Sequence, residues 1–213
     1  MDAALFHFFG ETKEFSAKAN MKIEGQQKIS MVMNFALRDG KVRTEVDMAQ
    51  VKSAELPADA MAAMKQMGMD RMVTLMDSGK KSICLIYPGL KAYTQMPIPK
   101  EQAASLDKNS KIEKTALGKE TIDGHPCVKN KVVLTGGDGK TQEAIVWNAA
   151  DLKDFPVQLD MASAGNKTTL RYQDIKLAAP DAKLFETPAG FTKYESVQAL
   201  MQGAMMKMLG GQN

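Results

Sequence analysis

From Phe15 onward the chain alternates apolar and polar residues with a period of two. Phe15, Ala17, Ala19, Met21 and Ile23 fall on one side, against Ser16, Lys18, Asn20 and Lys22. After Gly25 the pattern returns as Ile29, Met31, Met33, Phe35 and Leu37, and after Asp39-Gly40 as Val42, Thr44, Val46 and Met48. A period of two with one polar face predicts antiparallel strands that are dry on one side and wet on the other. Asp-Gly between two such runs is a hairpin signal.

Shorter strands are predicted over residues 72–76, 82–87 and 92–96, parted by Asp77-Ser78-Gly79 and Pro88-Gly89. Later strands cover 111–122, 128–134, 141–147, 155–161 and 168–177. Their punctuation is Asp123-Gly124, the glycines around Asp138, a polar turn over 148–153 and Gly165-Asn166. Two stretches read as helices. Residues 56–67 carry Pro57 and Asp59 in the first turn and stop at Gly68. Residues 196–209 start on a Ser196 cap and gather Val197, Leu200, Met201, Ala204, Met205 and Met208 on a broad face. A brief helix is expected over 101–106, and the aromatic run over 5–9 reads as a leader that caps the core. The chain shows no composition break and no fixed repeat. The expectation is one mainly β domain over 1–213, a single antiparallel sheet with one or two helices laid on it.

Val146-Trp147, Asp151-Leu152, Phe155-Pro156-Val157 and the run Leu184-Phe185-x-x-Pro188-Ala189-Gly190-Phe191 carry a resemblance. They resemble the closing strands of a family of uncharacterised exported bacterial domains, itself similar to the outer-membrane lipoprotein carriers. The resemblance implies an open, curved half-barrel whose apolar concave face is covered by helices and receives acyl chains. It also implies a periplasmic location. Residues 1–5 lack the basic region and apolar core of a signal peptide and, taken literally, place the chain in the cytoplasm. The implied export therefore requires that a leader has been removed.

Composition narrows the rest. Of 213 residues, 44% are apolar and 25% charged, as in a globular domain with a real core. The net charge of +3 is interspersed and gives no field directed at nucleic acid, and no apolar run is long enough to span a membrane. Cys84 and Cys127 leave a disulfide open, because nothing in the sequence says whether their strands are neighbours.

Candidate chemistry is sparse. His7 and His125 have no carboxylate or nucleophile nearby in sequence, and the Gly-rich turn at 136–139 lacks the Lys-Ser/Thr of a phosphate loop. No enzyme, cofactor or metal site is nominated. Methionine is the exception, with seventeen residues. Three readings stay open: ordinary core filling, an adaptable apolar groove, and a soft thioether site for Cu(I). By strand parity the inward set includes Met21, Met31, Met33, Phe35, Val46, Met48, Leu159 and Met161, joined by Met201 and Met205 from the last helix. The partner this suggests is an apolar ligand or a lipidated protein. The alternative is a structural or interaction domain of the envelope with a closed core.

Overall fold

The computed structural model describes residues 8–26, 28–53, 57–99, 111–136, 139–163 and 165–210. The brief helix expected over 101–106 lies outside them, as does most of the leader expected over 5–9. Each strand expected from the alternation forms. β1 (Glu14–Gly25), β2 (Ile29–Arg38) and β3 (Lys41–Asp47) open the chain as a meander. The two-residue β4 (Lys52–Ser53) and helix α1 (Ala58–Gln66) follow, then β5 (Arg71–Asp77), β6 (Ser82–Tyr87) and β7 (Ala92–Pro97). The second half is β8 (Lys111–Ile122), β9 (His125–Thr135), β10 (Thr141–Ala149), β11 (Phe155–Ser163) and β12 (Asn166–Lys176). It ends in β13 (Thr192–Tyr194) and helix α2 (Val197–Gly210).

Turn chemistry explains the hairpins. Asp39 and Gly40 both have positive φ, 48° and 72°, and Asp123 and Gly124 have 48° and 86°. Two consecutive left-handed residues twist the chain in the sense that antiparallel strands need.

The described strands form one unclosed, curved sheet in the order β13-β7-β6-β5-β3-β2-β1-β12-β11-β10-β9-β8, with β4 on β2. The first strand therefore lies in the middle. The opening meander grows away from β1 in one direction. The chain then resumes at the far edge with β8 and works back until β12 closes on the other side of β1. All pairings are antiparallel except that of β13, which joins the opposite edge parallel to β7.

One face of the sheet, here the inner face, carries the main core. Register and alternation place Phe15, Ala17 and Ala19 of β1 beside Leu37, Phe35 and Met33 of β2, and Tyr172 of β12 beside Ala19. Phe8 and Phe9 pack into this core, as expected of the leader. The helices also lie on the inner face, over the β5–β7 wing, with α1 reaching the 48–50 turn after β3. On this wing Met64 of α1 and Leu200 of α2 pack with Met69, Tyr87, Ala92 and Tyr194. Gly203 lets α2 close on this wing, since a Cβ there would meet the Tyr194 ring at 2.7 Å.

The outer face of the same wing is covered by the segment between β12 and β13. Arg38 Nη1 donates to the Pro180 carbonyl at 2.7 Å. At the far end Phe191 packs on Val73, Leu75, Cys84 and Ile86. With the helices inside and this strap outside, β5 and β6 are dry on both faces, which is why β6 reads as a continuous apolar run. The Leu184-to-Phe191 motif is thus a strap across the sheet rather than a further hairpin.

Both cysteines are free and buried. Cys84 lies in β6 beneath the strap and Cys127 opens β9, on opposite sides of the sheet centre. The disulfide left open by the sequence is not formed, because the topology sends the two halves of the chain to opposite wings.

Candidate functional site

The inner face is graded along β1. At the Phe15 end it is solid. Phe15 stacks on Phe35 with ring centroids 5.3 Å apart, and Phe9, Phe155 and Tyr172 complete the cluster at 4.7–6.1 Å from the Phe15 or Phe35 rings. These five rings come from β1, β2, β11, β12 and the segment before β1, so the cluster ties the two halves of the sheet together. One step further, Ala19, Met33, Val46 and Tyr172 remain buried.

Beyond that rung the face opens. Met21 pairs with Met31 and with Leu170, and Leu170 with Leu159. The next rung holds Ile23, Ile29, Thr168 and Met161. Met21, Met31, Met48, Met161 and Ile29 pack against the core but stay half-buried. β3 breaks here: Asp47 caps a single 3-10 turn by accepting from the Ala49 N–H at 3.0 Å, and β4 takes up pairing with β2. The break leaves a cavity of about 550 Å³, floored by Ile23, Ile29 and Val51 and edged by Lys22, Glu24, Lys28, Ser30, Lys52 and Ser53. Gly25 holds the end of β1 against the β11–β12 turn, where any Cβ would collide with the Gly165 carbonyl.

The residues expected inside divide accordingly. Met33, Phe35, Val46 and Leu159 are core. Met21, Met31 and Met161 lie on the open rungs, whereas Met48, expected at the end of the third strand, falls in the 3-10 turn after β3 and packs half-buried against the core. Met201 and Met205 do not join them: at 49% and 56% exposure they face away from the sheet, while Leu200 and Ala204 make the contact. The helical face drawn from the sequence was too broad, and a helix lying on a wing edge buries only a narrow stripe.

A larger cavity of about 840 Å³ lies between residues 8–14 and the inner side of β8–β10. Its lining mixes Phe8, Val132 and Val146 with Glu11, Lys13, Lys114, Lys153 and Asp154. Two fully buried inner-face hydroxyls, Tyr172 Oη and Thr94 Oγ1, have no hydrogen-bond partner, and burial pushes the Tyr172 phenol well above its usual range. By contrast the buried Asn130 amide donates to Asn148 Oδ1 at 2.9 Å, and Asn148 Nδ2 donates on to the Asp154 carbonyl.

One pairing was invisible in the sequence. His125 Nδ1 lies 2.7 Å from Asp151 Oδ2, although 26 residues separate them. Cys127, next to His125, is no activated nucleophile: burial pushes its thiol up, and its Sγ–H donates to the His125 carbonyl at 3.3 Å. Among the described residues there is no cluster of three or more His, Cys, Asp or Glu able to hold a metal. No described helix is long and apolar enough to cross a membrane.

No curated protein matches the chain. Among solved structures it is similar to an uncharacterized conserved protein of Thermus thermophilus, at 10% identity and TM-score 0.48, covering 91% of this chain and 97% of that one. It is similar to the Mycobacterium tuberculosis lipoprotein LppX at 11% identity and TM-score 0.43, covering 81% and 91%. It is also similar to a LolA superfamily protein of Nitrosomonas europaea at 12% identity and TM-score 0.37, covering 87% and 98%. From the start of β1 into β12, residues 15–173 match one family model, and the chain belongs to the family described as Domain of unknown function (DUF4412).

Proposed function

We propose that this is a non-catalytic protein of the bacterial envelope, periplasmic in location, that shelters an apolar group such as the acyl chain of a lipid or lipidated protein. The observation that carries the reading is the gradient on the inner face. A closed core has no reason to leave Met21, Met31, Met48 and Met161 half-buried on the inner face, with a cavity beside Ile23, Ile29 and Val51 one step further along β1 and β2. Native interiors pack near crystal density, and a concavity of several hundred Å³ is of ligand-site scale. Methionine suits the half-buried rungs beside it because its unbranched, polarizable side chain repacks around chains of different shape. The aromatic cluster then acts as the closed floor that stops the slot.

The test is a fluorescence titration with N-phenyl-1-naphthylamine, a neutral apolar probe, together with native mass spectrometry of the protein taken from cells. Saturable probe uptake and a retained lipid mass support the reading, and loss of uptake in Met31→Trp places the probe on the open rungs. A bare polypeptide that takes up no probe returns the protein to the second reading, an interaction domain. One observation favours that alternative: Met201, Met205 and Met206 form an exposed apolar stripe on α2.

A further inference from the structure

The lysines at the mouth of the slot say what kind of head the apolar chain carries. Elsewhere on the sheet several basic side chains face carboxylates. Lys18 pairs with Asp174, Lys129 with Glu120, Lys131 with Glu143, Lys167 with Asp160 and Arg171 with Asp123, all at 2.7–2.8 Å. Three lysines edge the mouth and only one carboxylate, Glu24, which Lys22 engages at 2.7 Å. Lys28 and Lys52 have no carboxylate partner among the described residues. Each mouth lysine also adjoins a floor residue in sequence: Lys22 with Ile23, Lys28 with Ile29, Lys52 with Val51. The pleat sends each lysine to the face opposite its apolar neighbour, and its place in the cavity lining puts it at the rim, where a long stem can lie along apolar surface with its ammonium in water.

We infer that the slot selects amphiphiles with an anionic head, a carboxylate or a phosphate, held by Lys28 and Lys52 while the chain enters over Ile23, Ile29 and Val51. The inference rests on the proposed acyl slot and adds to it the charge of the ligand. Both lysines are exposed, so their attraction is screened by salt and its effect is one of selectivity rather than of raw affinity.

The experiment is displacement of bound N-phenyl-1-naphthylamine by dodecanol, dodecanoate and dodecyl phosphate, which share one chain and differ in the head. Two exposed ion pairs predict that the anions displace the probe at about 3- to 10-fold lower concentration than dodecanol. That advantage shrinks toward one in a Lys28→Gln/Lys52→Gln variant and at high salt, while dodecanol is unaffected. Whichever anion is stronger identifies the carboxylate or the phosphate as the source. A Lys18→Gln/Lys131→Gln variant, which removes the same charge from paired sites, keeps the advantage. Equal displacement by dodecanol and both anions overturns the headgroup inference and leaves the slot standing, as does an equal loss of advantage in the control variant. Failure of the protein to bind the probe or any dodecyl competitor overturns the slot itself.

Discussion

The two ends of the inner face are built from the same strands by the same alternation, yet they do different work. At one end Phe15 and Phe35 lie in a five-ring cluster with essentially no exposure. At the other, four to six residues along the same strands, Met21 and Met31 face each other half-buried. Aromatic rings from β1, β2, β11 and β12 meet because those strands are central and adjacent. Among the described residues no such ring cluster closes the methionine end: β3 has broken at the Asp47 turn, and α2 lies over the β7 edge. Closure here is a property of what covers the strand, and stability and access can be assigned to separate ends.

The largest effect expected from this contrast is on stability. Phe15→Ala removes a fully buried ring from the cluster and costs about 3–5 kcal/mol, whereas Met21→Ala costs at most about 2 kcal/mol. Urea denaturation of both variants measures it, and equal losses would show that the two ends are one closed core. The same distinction applies on α2. Leu200 is 1% exposed, so Leu200→Asp buries an unpaired carboxylate at about 3 kcal/mol, while Met201→Asp stays within about 0.5 kcal/mol. A melting temperature unmoved by Leu200→Asp would mean that α2 does not dock on β7.

Enlarging side chains separates the ends by function. Met33→Trp overpacks a buried position and destabilises by about 1–3 kcal/mol. Met31→Trp, one rung outward, keeps the melting temperature and lowers probe uptake. The smallest effect concerns Tyr172. Its buried hydroxyl has no partner, so Tyr172→Phe holds or raises stability at neutral pH by about 1 kcal/mol. The sign with pH follows from burial. The native phenol is raised, so the unfolded chain releases its proton first, and this contribution is full below pH about 10 and lost as pH rises further. Tyr172→Phe flattens that alkaline decline, which denaturation at pH 9 to 11 detects.

The apolar–polar alternation by itself determined nearly all the strands, the Asp39-Gly40 and Asp123-Gly124 hairpins, and which residues of β1, β2, β3 and β11 face inward. These are local facts: pleat and turn geometry fix them within a few residues. It also put Met21, Met31, Met48 and Met161 on the inner side. It did not separate them from Met33 and Phe35, because alternation assigns a face and not the cover above it. Only the tertiary structure decided that β12 closes on β1, that β8 starts at the far edge, that the Leu184-to-Phe191 segment straps the outer face, and that β13 pairs in parallel. The His125–Asp151 and Asp123–Arg171 contacts and the separation of Cys84 from Cys127 follow from that order. Strand order is set by which long-range pairing buries most surface after loop closure, and a period of two is the same for every partner.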